Sequence, residues 1–172
     1  MSVKDIGTMV KTLQEAGVDE ELIQQITYAV DYEKTVSALE ARLRGGYKFE
    51  EIIGEALGTT LDFYDADNVL VINIDMDLMM AKPEFEIHRE GFTPVCGTNP
   101  MYLNEYPAIL EAVREVTGRC QIVPYTEILP LLKYDAKTYN RILHLGIHSV
   151  MAVPYHKRNI GFVIAINPRR YK

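Results

Sequence analysis

The amino-terminal part of the chain carries apolar residues at intervals of three and four positions, the spacing of a helix that buries one face. This pattern predicts a first helix between Ile6 and Leu13, a second from Asp19 to Val30 and a third from Tyr32 to Arg44. Gly17 interrupts the pattern and separates the first two helices. The broadest apolar stripe runs from Phe49 to Phe63 and predicts a fourth helix.

Two different strand patterns come next. Residues Asn68–Asp75 are almost continuously apolar, as in a strand that is covered on both faces. Residues Pro83–Phe92 alternate instead, with Phe85 and Ile87 on one face and Glu84 on the other. The second pattern therefore predicts a half-exposed strand near an edge of the sheet.

The region 93–135 is irregular because glycine and proline residues interrupt it repeatedly. Regular patterns return within it and after it, and Gly146 ends the last predicted helix. The predicted elements are a helix at Pro107–Val116, a strand at Gln121–Tyr125, a helix at Ala136–Leu145, and a closing hairpin with strands Ile147–Tyr155 and Ile160–Asn167.

These elements together predict an α+β fold: a central antiparallel sheet with helices packed on one face and an irregular loop and helix cover on the other. The period of two divides the strand Ile147–Tyr155 between the faces. Its odd-numbered residues are bulkier and suit the helices, whereas Val150 and Ala152 are small and leave volume beneath the cover, where ligands commonly bind. The alternative is a cover packed tightly onto these small side chains. We assign residues 1–46 to a helical appendage and 47–172 to the main domain.

Charge and composition exclude several classes of protein. The 172 residues include 18 basic and 24 acidic ones, and residues 1–30 carry two lysines against five acids. A helix-turn-helix that contacts DNA phosphates needs the opposite balance, so we expect no direct nucleic-acid partner. No apolar run reaches the roughly 20 residues of a membrane span. Two cysteines are too few for a secreted disulfide framework, so we expect a cytoplasmic protein without a membrane partner.

The closing segment carries a familiar set of residues. Gly146 ends a helix, Ser149 and Val153-Pro154 lie in the next strand, and Ile160-Gly161 and Asn167-Pro168 bound the last strand. In Leu61–Asp75, a helix leads through Asp67 into the first central strand. Over residues 48–168 this pattern resembles a GAF domain, a fold in the GAF/PAS-like group.

The resemblance implies a non-catalytic sensory and regulatory domain. GAF domains typically bind a small molecule between the sheet and its cover, and they pass the change through flanking helices to an output domain. We therefore expect an unidentified small-molecule ligand, a homodimer through the amino-terminal helices, and a carboxy-terminal output domain outside this chain. The cofactor stays unknown.

Specialised members of the family are disfavoured residue by residue. Cyclic-nucleotide binders carry an Asn-Lys pair, which this sequence lacks. Bilin-binding members often attach pigment through a cysteine followed by histidine, but Cys96 precedes glycine and Cys120 precedes glutamine. Members that reduce free methionine sulfoxide use three cysteines, and this chain has two. A thiol-redox enzyme that uses Cys96 or Cys120 stays an alternative, and so does a dimerisation module without a ligand.

The candidate binding residues come from the small-residue sheet face and the cover. Asn73 is an amide in an apolar strand, and two tyrosines of the cover offer aromatic area with a hydroxyl. A positive charge and an imidazole could pair with an anionic ligand group. No motif of a catalytic or metal site is present in the sequence. The candidates are Asn73, Cys96, Tyr102, Tyr125, Arg141 and His148.

Overall fold

A computed structural model describes residues 3–45, 48–95, 97, 100–119, 123–127, 135–156 and 160–170. The chain divides into two compact units, Met1–Ile52 and Ile53–Lys172. The first unit is helical, and the second contains the whole sheet.

Helix α1 (Val3–Glu15) ends where Gly17 adopts a positive φ of 71°, and α2 (Glu20–Leu43) follows it. The Asp19 side chain caps α2 by accepting a hydrogen bond of 2.9 Å from the backbone amide of Glu21. The prediction of two helices between residues 19 and 44 is wrong, because α2 is continuous. No glycine or proline lies between Asp19 and Arg44 to end the first of them, so the hydrogen-bond ladder carries on.

Three further helices match the predicted ones. Helix α3 spans Phe49–Tyr64, α4 spans Pro107–Arg119 and α5 spans Ala136–His144. Helix α4 begins with proline at its first position, where the missing amide hydrogen costs no hydrogen bond. Helix α5 ends at His144, and Gly146, two residues further on, has a φ of 68°.

A six-stranded antiparallel sheet forms the centre of the second unit, with the strand order β3-β2-β1-β6-β5-β4. The α+β class and the antiparallel sheet are confirmed. The strands are β1 (Asn68–Asp75), β2 (Met80–His88), β3 (Met101–Tyr102), β4 (Val123–Glu127), β5 (Ser149–His156) and β6 (Ile160–Ile166).

The region around β2 differs most from the prediction. The strand begins at Met80, three residues before Pro83, and it contains a β-bulge. Val71 of β1 pairs with Phe85 while Ile72 pairs with Pro83, so Glu84 is the extra residue of the bulge. The two-residue strand β3 and the following 3-10 turn (Leu103–Glu105) were not predicted, because such short elements have no periodic pattern.

The two faces of the sheet bury different clusters. One face packs against α3 through Val69 and Ala165, together with Leu57 and Leu61 of the helix, and we call it the α3 face. The other face packs against the 3-10 turn, α4 and α5, which we call the cover, and this is the cover face. Ile147 was predicted to share a face with Met151. It instead packs in a cluster of the cover face, because β5 starts only at Ser149 and the alternation does not extend back to residue 147.

Several residues that carry the sequence resemblance meet in one hydrogen-bond network. The Asn167 amide, on a residue with a positive φ of 50°, donates to the Asp67 carboxylate and to the Gly146 carbonyl, each at 2.8 Å. Its oxygen accepts from the backbone amides of His148 at 2.7 Å and Ser149 at 3.1 Å. The buried Asp67 carboxylate also pairs with Arg169. This network fastens the end of β6 to the starts of β1 and β5, so these residues hold the sheet together.

Candidate functional site

The cover face is the predicted ligand-binding face, and it is strongly apolar. Ala152 of β5, Phe162 of β6 and Leu103 of the 3-10 turn belong to one buried cluster, in which Leu103 is 0% exposed. Ile109, Leu110 and Val113 of α4 pack against that cluster. Among the described residues, the small Ala152 side chain therefore lies in a cluster with large side chains of the cover.

Charged groups of the cover gather around Tyr106, which is 8% exposed. The Lys137 ammonium lies 5.1 Å from the centre of the ring, and the Arg141 guanidinium lies 5.6 Å from it. Both distances are within the range of cation–π attraction. Lys137 also forms an ion pair of 2.7 Å with Glu105, and that hydrogen bond is the main reason that the pKa of Lys137 is raised.

Arg141 differs from Lys137 in its partners. Among the described residues, no acidic side chain pairs with its guanidinium, and its contact is the Tyr106 ring. The side chain is exposed in the last turn of α5. A guanidinium that is free of carboxylates and oriented by an aromatic ring is suited to binding a carboxylate or phosphate group.

One carboxylate links the two helices of the cover. Asp135 accepts hydrogen bonds from the backbone amides of Lys137 and Thr138 at 3.1 Å, and so caps α5. It also accepts from the Thr138 hydroxyl and from the Ala108 amide in the first turn of α4, the latter at 3.3 Å. These hydrogen bonds, led by that of the Thr138 side chain, lower the pKa of Asp135. Asp135 thus orients α4 and α5 together.

The structure places the sequence-predicted site residues on different elements. Arg141 lies on α5, and His148 lies just before β5 with its side chain exposed. Tyr102 is 51% exposed in β3, at the edge of the sheet, and Tyr125 belongs to β4. Cys96 is outside the described residues, as is Cys120 of the thiol-redox alternative.

Asn73 lies on the opposite face from the one predicted. It follows Val69 and Val71 along the α3 face, because alternate residues of β1 share a face. Its Oδ1 atom accepts a hydrogen bond of 2.6 Å from the Tyr155 hydroxyl, and its amide donates to the Glu84 carboxylate. Asn73 is therefore engaged on the α3 face and does not join the cover residues.

A close approach across β6 makes the bond between Tyr155 and Asn73 possible. Both residues pair with Gly161, one from each side of the strand. A Cβ atom on Gly161 would lie 2.2 Å from Cζ of Tyr155, so the ring lies directly over the glycine backbone. Burial, followed by the nearby Glu84 charge, raises the pKa of Tyr155. We call the residues Asn73, Glu84, Tyr155 and Gly161 the tyrosine row.

Sequence reasoning missed Tyr106, Asp135 and the contacts of Tyr155 with Asn73 and Gly161. Asp135 was detectable, since an aspartate directly before the predicted helix Ala136–Leu145 is a typical N-cap. The partners of Tyr106 and Tyr155 come from distant parts of the chain, and no local pattern indicates them.

The described residues contain no group of three or more His, Cys, Asp or Glu side chains that could hold a metal ion. Within the same part of the chain, no helix is both long enough and apolar enough to cross a membrane.

Comparison with known proteins finds similarity at the level of structure. No protein-family model and no curated protein matches the sequence. The phycocyanobilin-bound GAF domain of a cyanobacterial phytochrome superposes with a TM-score of 0.61 and 14% identity, over 81% of this chain and 82% of that one. A far-red-absorbing protein with bound biliverdin gives 0.59 and 13%, over 80% and 86%. A methyl-accepting chemotaxis protein gives 0.53 and 13%, over 81% and 85%. The chain therefore has a GAF-like fold.

Proposed function

We propose that this chain is a non-catalytic sensory domain that binds a small anionic molecule between the cover and the sheet. Support comes from the fold, which it shares with domains that hold phycocyanobilin and biliverdin and with a chemotaxis protein. A ligand of this kind would touch the cover, whose helices α4 and α5 are linked through Asp135. Its binding would then move both helices as a unit.

The observation that carries the proposal is the environment of Arg141. Its guanidinium lies against the Tyr106 ring without an acidic partner among the described residues. Lys137, on the same ring, is already neutralised by Glu105. Arg141 is thus the cation of this group that is available to an anionic ligand, and His148 is a second donor near the end of α5.

The output of the sensor would pass through the amino-terminal helices. Helix α2 has 24 residues and so spans about 36 Å. We propose that residues 1–46 form the dimerising appendage of a cytoplasmic homodimer, that 47–172 form the sensory domain, and that a carboxy-terminal output domain receives the signal. Apolar stripes on α1 and α2 support helix-to-helix packing between two copies.

Native mass spectrometry of the purified full-length chain tests the proposal directly. We expect a mass above that of the polypeptide, because a small molecule is bound. Acid denaturation should release that molecule. Biliverdin, a bilin that carries two carboxylates, serves as a defined probe in an absorbance titration. Absence of a released molecule, together with absence of biliverdin binding, would favour the dimerisation module, in which the apolar clusters fill the space beneath the cover.

The double variant Arg141→Ala/His148→Ala tests the residues. We expect affinity for the released molecule, or for biliverdin, to fall roughly 100–10,000-fold in calorimetry, because the variant removes two charge-assisted hydrogen bonds that are each worth about 1.5–3 kcal/mol. Arg170→Ala is the matched control, since this arginine is exposed near the carboxy-terminal end. Its backbone amide donates a hydrogen bond to the Tyr64 carbonyl, and the substitution leaves that bond in place. Equal affinity in the double variant and the control would remove Arg141 and His148 from the site.

A further inference from the structure

One end of the α3 face, which we call its open end, carries exposed side chains among the described residues. There, Val153 of β5 is 48% exposed and Tyr155 is half-buried. Lys82 and Glu84 of β2 are exposed beside them. We call Lys82, Glu84, Val153 and Tyr155 the sheet-end patch.

Register places all four residues on the same face. Val153 pairs with Val163, which packs against the α3-face cluster, and Tyr155 lies two residues further along β5. Lys82 pairs directly with Asn73 of that face. Glu84 is the extra residue of the β-bulge and lies two residues along β2 from Lys82, and its carboxylate accepts a hydrogen bond from the Asn73 amide of that face.

The patch carries one negative side chain that is hydrogen-bonded within the chain and one positive side chain without an ion pair among the described residues. Glu84 is oriented by its bond to Asn73, and Asn73 is in turn oriented by Tyr155. Lys82 has no ion pair among the described residues. A fixed carboxylate and an unpaired ammonium flank the flat tyrosine ring and the exposed valine.

We propose that the sheet-end patch is an isologous contact between two copies of this chain. A two-fold axis through the patch would bring Lys82 of one copy to Glu84 of the other, and the same pair would form again by symmetry. Val153 and the Tyr155 ring would fill the centre of the contact. A partner of a single sign of charge would meet a like charge at Lys82 or at Glu84, so the patch is complementary to itself.

Charge reversal in the full-length chain tests this contact by sedimentation equilibrium. Lys82→Glu makes the patch doubly acidic, and Glu84→Lys makes it doubly basic. We expect each single variant to self-associate roughly tenfold more weakly than the wild type, because two like-charged pairs replace two attractive ones. An equimolar mixture of the two variants should associate again, since opposite patches then meet. The double reversal K82E/E84K should also recover association.

The controls separate this contact from loss of folding and from the helical dimer of the proposed function. Circular dichroism of each variant should match the wild type. Unchanged association of both single variants would overturn the sheet-end contact and leave a dimer through α1 and α2 standing. The sheet-end contact would also be overturned if the wild type were monomeric at its highest soluble concentration. The same holds if both single variants are monomeric and their equimolar mixture stays monomeric too. The outcome does not depend on ligand binding, so failure of the sensory proposal is seen separately in the mass spectrum.

Discussion

The two faces of the sheet solve the same packing problem in different ways. On the α3 face a single helix buries a compact apolar cluster, and beyond it the surface becomes polar in the tyrosine row. On the cover face two helices and a 3-10 turn bury apolar side chains from β1, β5 and β6. The polar groups of that side lie above the sheet, within the cover itself. Among the described residues, the open end of the α3 face therefore presents charged side chains of the sheet, Lys82 and Glu84, directly to a partner.

The polar groups are also satisfied differently. In the tyrosine row, side chains from three strands bond one another across a glycine. In the cover, the Asp135 carboxylate accepts hydrogen bonds from backbone amides at the starts of two helices. The backbone pairing of the strands supports the tyrosine row, whereas a single carboxylate links the two helices of the cover. We therefore expect the cover to be the face that responds to conditions.

The largest effect on stability is expected from a substitution that disrupts packing on the cover face. Leu103→Ala removes a side chain that is 0% exposed and leaves a cavity among Phe162 and Ala152. We expect the free energy of unfolding to fall by about 2–5 kcal/mol in urea denaturation. Leu143→Ala on α5 is the matched control, because its side chain is 47% exposed, and it should change stability by less than about 0.5 kcal/mol. A small effect of Leu103→Ala would mean that the cover is loosely packed.

An intermediate effect on stability is expected from a substitution that disrupts the tyrosine row. Gly161→Ala places a methyl group where the Tyr155 ring lies, so the ring must move and lose its bond to Asn73. We expect a loss of about 1–3 kcal/mol, as for other overpacked sites. The pKa of Tyr155, followed by NMR of labelled tyrosine, should move down toward its ordinary value because the ring leaves its buried position.

A double-mutant cycle sharpens that result. In the background of Tyr155→Ala the clash disappears, so Gly161→Ala should cost much less there than in the wild type. Equal costs in both backgrounds would show that Gly161 is needed for its backbone and that the ring is not involved.

The smallest expected effect concerns pH and the cover. The lowered pKa of Asp135 means that the folded protein holds this carboxylate in its charged form more strongly than the unfolded chain does. Its contribution to stability is thus fully present above the ordinary value of 3.8 and is lost as the pH falls through the lower folded value. Asp135→Asn should flatten the acid end of a plot of urea midpoint against pH. A plot with the same acid slope as the wild type would exclude Asp135 as a source of the pH dependence.

Much of the fold could be predicted from local patterns. Helix α3 and strand β1 appear where the sequence placed them, because their apolar periodicity is strong and no competing pattern overlaps it. The continuous α2 was predicted as two helices, since its apolar stripe fades in the middle and the helix itself needs no stripe to continue. Strand β3 depends on pairing with Met80 and Ala81, which only the assembled sheet provides.

The candidate site was less predictable than the fold. Arg141 keeps its place as a candidate on the cover, but Asn73 turned out to lie on the other face. Reading Asn73 as a ligand-binding residue required knowing which side of β1 faces the cover, and a continuously apolar strand does not reveal this. The bulge at Glu84 has the same character, because an extra residue reverses the alternation without changing the composition.

By itself, the sequence determined most of the helices and strands, the α+β class and the acidic balance, because each follows from spacing and charge along the chain. Only the tertiary structure decided which side chains meet. Tyr155 reaches Asn73 because β6 lies between their strands with a glycine at the crossing, and Asp135 joins α4 to α5 across 27 positions of sequence. Contacts between residues so far apart depend on register and packing, which a local pattern does not contain.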